Sequence, residues 1–195
     1  MQHLITTILE DSIRTKRQAI ETQLDALIAA ADMLVTCIAS GHKILLFGNG
    51  GSAADAQHIA AEFVNRFQIE RRPLPALALT TDTSVITSIG NDYDFDQIFA
   101  KQIQALGQRD DVAWGISTSG NSPNVVAGLA AARERGLRCL GMAGQGGGIN
   151  DLSDLTLTVP TATTARVQET HILMGHMLCQ MVDQTLFPPG AEASR

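Results

Sequence analysis

From about Leu4 to Ile38, apolar residues recur at spacings of three and four (Leu4, Ile8, Ile13, Ile20, Leu24, Leu27, Ile28, Leu34), and neither proline nor glycine interrupts them. That period predicts amphipathic helix in two segments, an N-terminal helical extension over 1–40. After Gly41 the pattern changes. Lys43-Ile-Leu-Leu-Phe47 is a short unbroken apolar run, as expected of a strand buried on both faces of a parallel sheet.

The unit then recurs. Ile44–Phe47 leads into Gly48-Asn-Gly-Gly-Ser52 and a helical AADAQHIAAEFVNRF, and Val112-Ala-Trp-Gly-Ile116 leads into Ser117-Thr-Ser-Gly-Asn-Ser122 and PNVVAGLAAARERG. Pro75–Leu79, Leu137–Met142 and Leu155–Val159 read as further strands, Asp94–Leu106 as a helix, and Thr164–Phe187 as a long final helix, apolar on much of its circumference. Short apolar strands alternating with longer helical patterns predict a doubly wound α/β fold, a five-stranded parallel sheet flanked by helices. The chain is read as a single domain, with an α/β core over 41–187 and a frayed tail over 188–195.

Composition narrows the partners. With 195 residues and 45% hydrophobic content there is enough chain for one core. A formal net charge of -6 argues against direct nucleic-acid binding, because phosphate backbones are held by clustered Lys and Arg. A small anion is still admissible, since backbone amides can hold one locally whatever the global charge. Cys37, Cys139 and Cys179 are scattered among apolar residues and read as reduced core thiols. The N-terminal stretch carries charges throughout, unlike a signal peptide, and no stretch reaches the ~20 apolar residues of a membrane span. A cytoplasmic location is expected, with no membrane partner.

The two loops are the first candidate site. Gly and Ser at a strand-to-helix junction let backbone N–H groups converge on an anion, at the end of an open α/β sheet where ligands collect. Gly48-x-Gly50-x-x-Ala53 formally fits a dinucleotide fingerprint, but Thr80 and Thr81 stand where the acidic ribose contact belongs, and the Lys of a nucleoside-triphosphate loop is missing. Ser117, Thr118, Ser119 and Ser122 offer four hydroxyls within six residues, which favours a phosphate monoester over plain tight turns.

A second cluster carries chemistry. His58 and Glu62 are four apart on the first loop's helix, hence on one face. Gln168 and His176 are eight apart on the last helix, ~12 Å along its axis, so they converge only by leaning inward or by coming from different subunits. Imidazole nitrogens and a carboxylate suit a divalent transition ion such as zinc, with a Gln oxygen as an acceptable further ligand. Taken alone, the His-x-x-x-Glu pair reads first as a solvated surface pair of modest value; its place after a candidate phosphate loop shifts that reading toward the site. His171 reads as a packed or interface histidine.

GNGGSAADAQH and GISTSGNSPNV resemble the sugar-isomerase (SIS) domain, and HIAAE, IGNDYDFDQIFAKQI and ARVQETHILMGH resemble its bacterial phosphoheptose isomerase branch, across nearly the whole chain. The resemblance implies an aldose–ketose isomerase converting sedoheptulose 7-phosphate to D-glycero-D-manno-heptose 7-phosphate, at the entry to the ADP-heptose route for lipopolysaccharide cores. It implies a homotetramer with active sites at subunit interfaces and one Zn2+ per subunit held by His58, Glu62, Gln168 and His176. Glu62 and His176 match the catalytic base and acid; Asn49, Gly50, Gly51, Ser52, Arg66, Asn91, Asp92, Ser117, Thr118, Ser119, Ser122 and Gln168 match substrate contacts. The chain departs at Ala165, where some relatives carry an Asp. A non-catalytic branch, a tetrameric partner of the replication initiator, shares the DQTLFP-like ending but lacks the acid and base that are both present here.

Overall fold

The computed structural model describes residues 1–188, so the tail beyond Pro188 lies outside the described residues. Its elements run α1 (Gln2–Thr22), α2 (Leu24–Ala39), β1 (Ile44–Gly48), α3 (Gly51–Val64), β2 (Ala76–Ala78), α4 (Thr83–Asp92), a 3-10 turn at Phe95–Gln97, α5 (Ile98–Leu106), β3 (Val112–Ser117), α6 (Pro123–Glu134), β4 (Arg138–Ala143), α7 (Gly148–Leu152), β5 (Leu155–Thr158) and α8 (Thr164–Leu186). All five strands are parallel, in the order β2-β1-β3-β4-β5. The expected doubly wound sheet is therefore the observed one.

Strand residues alternate between two cores, although both faces are apolar and the alternation is invisible in the sequence. Ile44 and Leu46, Val112 and Trp114, and Leu140 and Met142 face α2, α3 and α8. Leu45 and Phe47, Ala113 and Cys139 face α5, α6 and α7. Both sides are thus covered, as an all-parallel sheet requires. The three cysteines are free and buried. Among the described residues no single helix is long and apolar enough to cross a membrane.

The helix expected over Asp94–Leu106 is shorter and is preceded by another. Asp82 caps α4, its carboxylate accepting from the Val85 N–H at 2.9 Å, and Asp94 caps the 3-10 turn, accepting from the Asp96 N–H at 3.0 Å. No residue of α4 is buried, so its start is set by a cap rather than by a buried apolar stripe. At the opposite end of the sheet, buried Asp111 accepts from Lys43 Nζ at 2.6 Å, from the Lys43 N–H at 3.0 Å and from the Gln108 N–H at 2.9 Å, joining the feet of β1 and β3.

His171 on α8 is wholly buried inside the chain, which is the packed reading. Its Nε2 lies 3.1 Å from the Ala143 carbonyl oxygen, while Nδ1 has no partner. Burial lowers its pKa to about 4, the Ala143 hydrogen bond opposing the shift. A histidine depressed in the folded state stabilises the fold above its unfolded pKa, and that stability is lost as pH falls from about 6.5 toward 4. By the 1.4 kcal/mol carried by each pKa unit, the loss amounts to about 3 kcal/mol. Urea unfolding of the wild type and of His171→Gln, at pH 7 and pH 4, is expected to show a correspondingly flatter pH dependence in the variant.

Candidate active site

β1 and β3 are neighbours in parallel register, Leu46 against Trp114 and Gly48 against Ile116, so the two Ser/Gly loops leave the same sheet edge side by side. This is the point where strand order reverses, the position at which open α/β sheets bind ligands. The loops are tied together by a side-chain amide pair: Asn49 Nδ2 donates to Asn124 Oδ1 at 2.7 Å, and Asn124 Nδ2 donates to Asn49 Oδ1 at 2.8 Å. Within the second loop, Ser117 Oγ lies 2.9 Å from Ser122 Oγ and 3.4 Å from Ser119 Oγ. The Asn121 N–H donates to Ser119 Oγ at 3.1 Å, and Asn121 Oδ1 accepts from the Gly148 N–H at 2.8 Å. Thr118, Ser119, Gly146, Thr161 and Thr164 line a cavity of about 440 Å3 between this loop and the start of α8.

The acid/base cluster assembles within one chain. Close packing of α3 on α8 overcomes the separation in sequence: His58 Nε2 lies 2.8 Å from His176 Nε2 and 3.4 Å from Glu62 Oε1. One ligand atom from each of the three residues falls within 4.8 Å of the others. Phe67 stacks on the His176 ring at 5.2 Å between centroids. Burial and the adjacent His58 both lower the His176 pKa, with Glu62 opposing. One turn before His58, burial raises the Asp55 carboxyl to about 6, with His58 pulling the other way, and Asp55 Oδ2 is buried without a hydrogen-bond partner.

The donor set fits a tetrahedral metal. Zinc bonds of ~2.0–2.1 Å place two imidazole nitrogens about 3.3 Å apart. The separations from His58, 2.8 Å to His176 and 3.4 Å to Glu62, bracket that figure, and all three donor atoms lie within 4.8 Å of one another, close enough to gather on one ion.

Other candidates from the sequence lie elsewhere in the chain. The Gln168 amide rests on Gly51, where an added Cβ would come within 2.4 Å of its Nε2; it belongs to the first loop's wall and makes no hydrogen bond to His58, Glu62 or His176. Ser52 is buried in the first turn of α3. Arg66 is exposed and pairs with Glu70 at 3.4 Å. Asn91 and Asp92 end α4 on the surface, where Asn91 Nδ2 donates to Asp92 Oδ1 at 2.8 Å and no hydrogen bond joins either side chain to the loops.

Sequence reasoning missed four residues at this site: Asn124, Asp55, Arg71 and Asp183. Asn124 was legible as an amide in the otherwise apolar first turn after the second loop, and Asp55 as an acid three residues before His58. Arg71 and Asp183 are 112 residues apart and gave no local signal.

The SIS domain profile matches residues 9–144. A phosphoheptose isomerase from Nitratidesulfovibrio vulgaris (Hildenborough) is 57% identical over 178 residues, covering 91% of this chain and 86% of that protein. The solved structure of a phosphoheptose isomerase from Neisseria gonorrhoeae superimposes with a TM-score of 0.89 at 45% identity, covering 94% of this chain and 98% of that one. One from Francisella tularensis gives 0.90 at 39% identity with the same coverage.

Proposed function

The chain belongs to the SIS-domain family and, within it, to the phosphoheptose isomerases, and on that footing we propose that it interconverts sedoheptulose 7-phosphate and D-glycero-D-manno-heptose 7-phosphate through an enediol. The observation carrying the reading is the meeting of Glu62, His58 and His176 beside two hydroxyl- and amide-rich loops on one sheet edge. The retained Glu62 and His176 weigh against a non-catalytic tetramer that binds the replication initiator.

In this reading Ser117, Thr118, Ser119 and Ser122 hold the phosphoryl group with their hydroxyls and backbone amides, while Asn49, Gly50, Gly51, Ser52 and Gln168 flank the sugar from the first loop. Arg66, Asn91 and Asp92 complete the contacts in the assembled oligomer. Glu62 takes a proton from C1 of the ketose and returns one to C2, so the carbonyl moves from C2 to C1 without net oxidation. His176 serves the oxygens through Nδ1, the ring nitrogen not turned to His58: its N–H gives a proton to the oxygen at C2 and takes one back from the hydroxyl at C1, with no net gain or loss. His58, Glu62 and His176 would hold one zinc ion per subunit, with Gln168 of a neighbouring copy as the further ligand, and the ion when bound would supply Lewis-acid polarisation of the carbonyl and ease the negative charge on oxygen.

The reading extends to a cytoplasmic homotetramer with sites at subunit interfaces. Its support is the row Leu4, Ile5, Ile8, Leu9 and Ile13 on α1, each at least 46% exposed in the single chain and suited to burial against further copies. The test is turnover of sedoheptulose 7-phosphate by the purified protein, with metal analysis. Aldose product and about one zinc per chain are expected, with activity falling at least ~100-fold after chelation and returning with zinc. Absence of turnover by the zinc-loaded protein overturns the proposal.

A further inference from the structure

Beyond the end of α3, Arg71 turns back into the protein, its side chain only 1% exposed. Its Nη2 donates to the Glu62 carbonyl oxygen at 2.8 Å, and Nη1 donates to the carbonyl oxygens of Phe63 at 2.8 Å, Asn65 at 3.1 Å and Arg72 at 3.1 Å. These include carbonyls of the last turn of α3, which a helix leaves without internal partners, and a cation belongs at that negative end. The Nε–H donates at 2.9 Å to Oδ1 of Asp183, itself buried on α8.

The placement of the two ends bears on the site. Nη2 holds the backbone of the residue whose carboxylate reaches the cluster, and Asp183 lies seven residues, about two turns, beyond His176 and so on the same side of α8. On the other side of the cluster, α3 and α8 touch where Ile59 meets Gly175: a Cβ on Gly175 would stand 2.6 Å from Ile59 Cδ1. The two helices are therefore spaced by a close contact beside His176 and by a charged clip beyond it.

We propose that Arg71 and Asp183 are positioning residues, a clip between α3 and α8 that sets the distance at which His58 and Glu62 face His176. The proposal deepens the isomerase reading and rests on it for the catalytic consequence. It identifies the clip's job as geometry: five N–H donors in a fixed plane define where the end of α3 lies, which the three donors of an ammonium on a flexible stem cannot do.

The experiment compares Arg71→Lys, Asp183→Asn and, as a control for lost stability, Asp111→Asn at the opposite end of the sheet, all assayed at 25 °C well below their melting temperatures. Arg71→Lys is expected to lower kcat and zinc affinity each by about 10–100-fold with KM within twofold of wild type. Asp183→Asn is expected to move both in the same direction, while Asp111→Asn, equally or more destabilised, leaves both unchanged. In crystals of Arg71→Lys the His58–His176 Nε2 separation is expected to change from 2.8 Å by about 1 Å. Unchanged kcat, zinc affinity and separation in a folded Arg71→Lys or Asp183→Asn protein overturns the proposal, as does an equal loss in Asp111→Asn. A wild type that turns over no heptose phosphate ends the isomerase reading instead; zinc affinity and the imidazole separation then still decide the role of the clip.

Discussion

Replacing Glu62 by glutamine is expected to lower kcat for sedoheptulose 7-phosphate on the order of 10³-fold while leaving the fold intact. The size follows from removing the group that shuttles a proton between two carbons, a role worth roughly 10²–10⁴. Glutamine keeps the length of the side chain and an oxygen for His58, whose Nε2 stands 3.4 Å from Glu62 Oε1, but it cannot accept a proton from carbon. The structural bond at this position is made by the backbone carbonyl oxygen, which accepts from Arg71, and the substitution does not touch it. Unfolding midpoints should therefore agree closely between variant and wild type. In deuterium oxide the wild type is expected to place solvent deuterium at C2 of the aldose, and Glu62→Gln to incorporate none on the same timescale. A variant retaining more than about a tenth of wild-type kcat assigns the base elsewhere, and Asp55, one turn before His58 on the same helix with its carboxyl raised to about 6, is then the next group to change.

The sheet was legible because its strands are continuous apolar runs, and a strand covered on both faces has no other pattern open to it. Ile44–Gly48 and Val112–Ser117 fall within a residue of the expected spans for that reason. The two loops were legible as a repeated unit of strand, small residues and helix. What hid α4 was the absence of any buried residue: a helix begun by the Asp82 carboxylate and packed only through half-buried Val85, Ile86 and Ile89 carries almost no periodic signal. At the site, the spacing of His58 and Glu62 placed them on one face, but nothing local could bring His176 to them. That depends on Gly175, which lets α8 approach Ile59 of α3, and on Arg71 reaching Asp183 across 112 residues of chain. The axial gap between Gln168 and His176 follows from helix rise, and within one chain the two side chains reach different walls, Gln168 at Gly51 and His176 at His58.

Gly120→Ala is expected to separate anchoring of the phosphoryl group from the chemistry. Gly120 has φ +69, in the left-handed region where a Cβ costs roughly 1–2 kcal/mol. Space is the larger obstacle. A Cβ at Gly120 would stand 1.8 Å from the Gly146 carbonyl oxygen and 2.6 Å from its carbon, and both are backbone atoms with no rotamer to escape into. The segment around Gly146 is itself bound to the loop, the Ile149 N–H donating to the Gly120 carbonyl oxygen at 3.0 Å and the Gly148 N–H to Asn121 Oδ1 at 2.8 Å, so the two must part together. That displaces Thr118 and Ser119, which line the cavity, and opens the hydroxyl cluster around Ser117. The expected result is a KM raised about 100-fold, equivalent to ~2.7 kcal/mol of lost binding, and a matching loss of inhibition by inorganic phosphate. His58, Glu62 and His176 sit on α3 and α8, outside the displaced segment, so zinc content should be unchanged and kcat at saturation should fall by less than about tenfold. Steady-state kinetics over a wide substrate range, with phosphate inhibition and metal analysis on the same preparation, make the comparison. A variant with wild-type KM and undiminished phosphate inhibition shows that the phosphoryl group is held elsewhere; a loss confined to kcat shows that the second loop serves the reacting carbons instead.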